Sequence, residues 1–99
     1  MTTTQRKRSR LETIYVILTL AQTVQKKTHI MFQANLSHAQ FVKYATLLLD
    51  RGLLRETPNG FITTPRGRQY VLEFQELQRI MGDIVRPPQG FVDSGAVLS

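Results

Sequence analysis

Cysteine is absent from the 99-residue chain, which removes disulfides and thiolate metal centres from consideration. The remaining soft ligands are His29 and His38, set nine residues apart with no flanking carboxylate, so no metal or other cofactor is expected. Acids are scarce: seven Asp and Glu stand against 13 Lys and Arg, and only Glu12, Asp50 and Glu56 fall in the first 68 residues. Residues 1–68 therefore carry +8 and residues 69–99 carry −2, within a net charge of +6. A basic body with a mildly acidic end implies a polyanionic partner. Catalytic equipment is lacking too. There is no Gly-rich phosphate loop, no nucleophile with its base and no close carboxylate pair, so neither an enzyme nor a small-molecule substrate is indicated. Long apolar runs are also missing. Ile14 to Ala21 follows a basic stretch as in a secretory leader, but no small-x-small cleavage pair comes after it. The run is far too short to span a bilayer. No membrane segment is expected, and a cytoplasmic location is.

What remains is enough for one small domain, since 41% of the residues are apolar. Residues 1–8, with three threonines and a basic cluster, read as a flexible arm. Ser9-Arg10-Leu11-Glu12 fits a capping box. Leu11, Ile14, Tyr15, Leu18 and Ala21 then share one helix face, widened by Val16, Ile17 and Leu20. A first helix is predicted from Arg10 to about Val24. Gln25-Lys26-Lys27 reads as a polar link, Thr28 as the N-cap of a short helix from His29 to Ala34, and Asn35 as its left-handed stop. Ser37 opens a third helix, His38 to Arg51, which Gly52 closes. Two helices joined by so tight a turn form a helix-turn-helix unit. Two short strands follow, Leu53–Thr57 and Phe61–Thr63, around Pro58-Asn59-Gly60, where Asn-Gly is expected to supply the positive φ of a tight hairpin. Thr64 and Pro65 start a fourth helix over residues 65–85, stopped by Pro87-Pro88. Residues 9–86 thus form the domain and residues 87–99 a flexible tail. Three helices, a hairpin and a last helix make an α+β winged helix-turn-helix.

Three segments carry a resemblance: Lys27-Thr28-His29-Ile30-Met31-Phe32-Gln33-Ala34-Asn35-Leu36-Ser37, Leu47-Leu48-Leu49-Asp50-Arg51-Gly52-Leu53-Leu54, and Phe61-Ile62-Thr63-Thr64-Pro65-Arg66-Gly67. In this order they resemble the archaeal winged-helix family that includes the small, basic, ten-kilodalton chromatin-associated proteins of Sulfolobus. The match covers about Ser9 to Phe74. The resemblance implies binding of double-stranded DNA without catalysis or cofactor. It also implies a homodimer joined through the C-terminal helix. Here Gly82 and Pro87-Pro88 interrupt that helix, so any seam is short.

On the third helix Phe41, Tyr44, Ala45 and Leu48 share the core face, and Ala39, Lys43, Thr46 and Asp50 the opposite one. A recognition helix places its first residues at base edges and phosphates. Ser37, His38, Gln40 and Lys43 are therefore the groove candidates, with Gln40 suited to adenine and Lys43 to guanine or phosphate. Thr28 and His29 are placed to meet phosphate at the second helix's start. His29 and His38 suit hydrogen bonding better than acid–base catalysis. In the wing, Arg55 and Asn59 reach for backbone or minor groove. Arg6, Lys7, Arg8 and Arg10 form a basic arm of the kind that adds affinity with little sequence preference. Along the last helix Tyr70, Phe74, Leu77, Met81 and Ile84 recur at a/d spacing. Tyr70 and Phe74 belong to the domain core, while Leu77, Ile80, Met81 and Ile84 are left for dimerisation.

Each assignment has a plainer alternative: a solvated helix face, a cap, an ordinary turn, a solubilising terminus. A winged helix can also serve protein–protein contact, and an RNA-binding module is a further reading, although no aromatic base-stacking platform is evident. The charge distribution gives a first prediction. For about five to seven neutralised phosphates, log K for duplex DNA falls against log salt with a slope of roughly −5 to −6. A slope shallower than about −2 in a two-salt gel-shift titration would overturn the polyanion reading.

Overall fold

Ser9 caps the first helix, α1 (Arg10–Leu20): its hydroxyl accepts from the Glu12 amide (3.1 Å), and the Glu12 carboxylate accepts from the Ser9 amide (2.8 Å). This is the capping box predicted from Ser-x-x-Glu. The computed structural model describes residues 8–85. Arg6, Lys7 and the tail over 87–99 lie outside them, and for Ile84 only the helical backbone is described.

α1 ends at Leu20, four residues short of the predicted Val24. The cause is tertiary. The Thr63 amide donates to the Ala21 carbonyl (2.7 Å) and its hydroxyl to the Leu18 carbonyl (2.7 Å), so carbonyls at the helix end find partners outside the helix. The chain then turns through residues 21–23 and reaches Gln25, whose amide and carbonyl both pair with Phe61 (2.9 and 2.8 Å). What reads as a polar link thus carries a β-bridge to the hairpin.

Helix α2 (Lys27–Ala34) begins directly after that pairing, two residues earlier than expected. Its N-cap is Lys26, and no side chain caps it. Thr28, expected to be the cap, is instead the second residue of the helix. Asn35 closes it at φ 57°, with the Leu36 amide reaching back to the Met31 carbonyl (2.9 Å). Helix α3 (His38–Asp50) is opened by Ser37 and closed through Arg51 and Gly52, the latter at φ 73°.

Strands β1 (Leu54–Thr57) and β2 (Gly60–Thr63) pair antiparallel, from Leu54 opposite Thr63 to Thr57 opposite Gly60. Their two-residue turn is Pro58-Asn59, not Asn59-Gly60. Proline locks φ near −65°, which excludes a primed turn beginning there. Asn59 accordingly has no positive φ, while Gly60 lies at φ 144°. A Cβ on Gly60 would run into the Gln25 carbonyl, so this glycine is what lets the hairpin lie against the α1–α2 link.

Helix α4 (Pro65–Val85) starts from Thr64, whose hydroxyl accepts from the Gly67 amide (3.0 Å) and donates to the Gly52 carbonyl (2.7 Å). Buried Gly67 faces the Leu53 carbonyl and the Thr63 methyl, with no room for a Cβ. The core joins Ile14, Ile17, Leu18 and Ala21 of α1 to Ile30, Phe41, Ala45, Leu48, Leu54, Phe61 and Val71. Phe41 and Phe61 meet edge to face at 5.4 Å. α1 is packed by α2, the hairpin and α4, which bury Ile14, Ile17, Leu18 and Ala21 of the predicted stripe and also Thr13, while Leu11 at its start is exposed.

The glycines separate two effects. Gly67→Ala is expected to lower stability by at least ~2 kcal/mol through overpacking. Gly82→Ala, where a Cβ meets nothing within 4 Å, is expected to raise it by about 0.5–1 kcal/mol through helix propensity. Urea denaturation at fixed protein concentration measures both.

Candidate nucleic-acid interface

The exposed face of α3 carries Ala39, Gln40, Val42, Lys43, Thr46 and Asp50, opposite buried Phe41, Ala45 and Leu48. At its start Ser37 and Gln40 form a second capping box. The Gln40 amide donates to the Ser37 hydroxyl (3.1 Å), and the Gln40 side-chain carbonyl accepts from the Ser37 amide (3.0 Å). Two expected groove residues are thereby engaged with one another. Gln40 keeps its side-chain NH2 as the group open to a further partner, while Lys43 stands one turn along, exposed.

His38 is the first residue of α3, and Lys27 is the first of α2. Their side chains meet, Lys27 Nζ lying 3.5 Å from His38 Nε2, an arrangement in which the ammonium donates to the imidazole. This contact joins the two helix N-termini into one surface. With no side-chain acceptor over the start of α2, its positive end is open to an outside anion.

The same end of α2 faces the wing. Thr28, His29 and Phe32 of α2, Lys26 of the link and Asn59 of the turn surround an open cleft of about 520 Å³. Val24 and Gln25 complete its lining, and none of these residues is acidic. The Gln25–Phe61 pairing builds it by holding the turn against the link. From α3 through the Lys27–His38 contact to the cleft, the structure thus brings His38, Thr28, His29 and Asn59 onto adjoining ground.

Other predicted site residues stand apart from this cleft. Arg55 is exposed on β1 opposite Ile62, and Arg10 is exposed at the start of α1. Arg8, expected in a free arm, donates from Nη2 to the Ala34 carbonyl at the end of α2 (2.6 Å). It is tied to the domain because helix-end carbonyls attract a cation. Arg6 and Lys7 lie outside the described residues.

Lys26, Lys27 and Phe32 were not singled out from sequence. In sequence the two lysines form part of a polar link with no helical spacing of their own. Phe32 had a signal in its spacing: it falls two residues from both Ile30 and Ala34, which puts it on the face of α2 opposite the core.

α4 divides in two. Its first half packs on α1. Phe74 stacks on Tyr15 at 4.6 Å, and the half-buried Tyr70 donates its hydroxyl to the Leu11 carbonyl (2.9 Å). Burial pushes the Tyr70 phenol above its usual range. Farther along, Leu77, Ile80 and Met81 are 53%, 42% and 45% exposed. Glu76, held below the usual carboxylate range by its hydrogen bond to Arg79, stands beside them at the surface. Among the described residues, no three His, Asp or Glu side chains gather as a metal site, and no helix is long and apolar enough to cross a membrane.

Comparison with known proteins agrees with this architecture. An uncharacterized protein of Methanocaldococcus jannaschii, MJ0287, is 36% identical over 76 residues, 76% of this chain and 78% of its own length. A second from the same organism, MJ0290, is 33% identical over 76 residues; the match again covers 76% of this chain but only 36% of that longer protein. The profile of the winged helix-turn-helix family matches residues 7–82. With that match spanning the helix-turn-helix, the hairpin and most of the last helix, the chain belongs to the winged helix-turn-helix family.

Proposed function

We propose that this protein binds double-stranded DNA as a homodimer and acts as a transcription regulator or chromatin-associated protein, of the kind found in Sulfolobus. The observation that carries the reading is the surface running from α3 across Lys27 and His38 to the wing. It is basic, its cleft is lined without an acid, and it is formed by the helix-turn-helix and the hairpin together. Asp50 lies at the far end of α3, where a carboxylate is least opposed by phosphates.

In this arrangement α3 enters the major groove with Lys43 as its base or phosphate contact. Gln40 contributes one amide donor rather than a bidentate pair, because its carbonyl serves the cap. Lys27, Thr28 and the open start of α2 meet the backbone, with Arg55 and Asn59 reaching it from the wing. Arg6, Lys7 and Arg10 add charge without sequence preference. Dimerisation uses Leu77, Ile80, Met81 and Ile84, beyond the part of α4 that α1 covers. Burying each apolar side chain contributes about 1.5–3 kcal/mol before the cost of association.

Two variants separate reading from capping. Gln40→Glu retains an acceptor for the Ser37 amide, so its stability stays within about 0.5 kcal/mol of the parent, while the added negative charge weakens duplex binding. Lys43→Ala reduces discrimination between sequences by about 1–3 kcal/mol if it reads a base, or lowers the salt slope by about 1 if it meets only phosphate. Fluorescence anisotropy on two duplexes at two salt concentrations distinguishes these. Unchanged duplex binding in both variants would remove α3 as the reader.

The dimer has its own test. Sedimentation equilibrium is expected to give twice 11.4 kDa for the native chain and a folded monomer with weaker DNA binding for the double variant Leu77→Glu, Met81→Glu. A native chain that remains monomeric at tens of micromolar would refute this interface.

A further inference from the structure

We propose that the cleft between α2 and the wing takes one unpaired nucleotide of a DNA strand, its base laid on the Phe32 ring and its phosphate beside Lys26 and His29. This rests on the nucleic-acid reading above and extends it to DNA that is partly single-stranded.

Phe32 is the starting point. At 79% exposed it is the most open large apolar side chain among the described residues. It stands opposite Ile30 and Ala34, the residues that bury α2, so the fold makes no use of its ring. Val24, also exposed, supplies a second apolar surface in the cleft lining. Around these two, Lys26, Thr28, His29 and Asn59 provide a cation and hydrogen-bonding groups, with no carboxylate among the lining residues. An aromatic face ringed by basic and neutral polar groups is the pattern that holds a single strand, where each base offers a π-face and each phosphate a charge.

Two features favour this occupant over others. The cleft, about 520 Å³, is open rather than enclosed, so a free small molecule would stay largely in water, whereas a segment of a longer strand is laid across it. It is also continuous, through Lys27 and His38, with the surface assigned to the duplex. Bases within a duplex present edges to the grooves and hide their faces in the stack. Only an unpaired or extruded nucleotide can cover Phe32, and the natural place for one is a duplex flank, gap or bubble beside α3.

The chain contains no tryptophan, so Phe32→Trp introduces a single tryptophan, selectively excitable over the three tyrosines, at the exposed position without touching the core. Its emission is expected to be quenched by a duplex carrying a short unpaired thymidine tract and to change little with a blunt duplex of equal length. Affinity of the parent for the tract-bearing duplex is expected to exceed that for the blunt one by about tenfold, the scale of one base stacked on an aromatic ring. Phe32→Ala and Phe32→Leu should both lose this preference while binding blunt duplex normally, with circular dichroism confirming that both are folded. Normal duplex binding with no quenching, equal quenching by both DNAs, or a preference that survives in Phe32→Ala or Phe32→Leu would overturn the proposal and leave the duplex reading standing. Failure of the parent to bind any DNA would overturn both.

Discussion

Strand β2 supplies partners for the carbonyls at the end of α1, and the remaining geometry follows from that junction. A helix leaves its last carbonyls without intrahelical donors. Here Thr63 serves two of them, with its amide and its buried hydroxyl. Two residues back along β2, Phe61 exchanges backbone hydrogen bonds with Gln25 of the link. The hairpin is therefore fastened along the end of α1 and the link behind it. That fastening ends α1 early, starts α2 early and sets the turn beside the first residues of α2. Gly60 and Gly67 are required by the same packing, each where two backbones come too close for a Cβ.

Because these contacts are made by backbone groups and the Thr63 hydroxyl, side chains at the helix starts are left for other work, but not all of them. Ser37 and Gln40 are engaged in a capping box, which stiffens the start of α3. Residues that read DNA gain from such stiffness, since less freedom is lost on binding. The corresponding start of α2 has no side-chain cap. Lys27 spans from it to His38. The two helices of the helix-turn-helix thus play unlike roles at one surface: α3 presents a braced set of side chains, and α2 presents an open positive end and an uncovered aromatic ring.

α4 illustrates how one amphipathic helix serves two purposes in succession. Tyr70, Val71 and Phe74 are held by α1 and by the packing around Gly67. Beyond Gln75, whose amide donates to the Tyr15 hydroxyl (3.2 Å), Leu11 of α1 still borders Leu77, but Leu77, Ile80 and Met81 remain exposed to solvent. An exposed stripe on a helix otherwise well formed is a surface suited to another chain.

The order of elements was legible from local signals. Ser9 with Glu12, Asn35, Ser37, Gly52, Thr64 with Pro65, and the 3.6-residue spacing of α3 and α4 each act over a few residues, so the chain alone reveals them. The winged helix-turn-helix followed from that order, as did the exposed face of α3. What the sequence could not reveal depends on partners far along the chain. The end of α1 is set by Thr63, more than forty residues away. Gln25 forms a β-bridge only because Phe61 lies opposite. Thr28 loses its capping role because that pairing fixes where α2 begins, and Arg8 leaves the arm because the end of α2 lies near it. The cleft that unites Lys26, His29, Phe32 and Asn59 exists for the same reason. By itself the sequence determined which segments become helix or hairpin, because propensity, capping and periodicity are local. Only the tertiary structure decided where those segments stop and which side chains share a surface, because each backbone group left free at an element's end takes the partner that folding brings within reach.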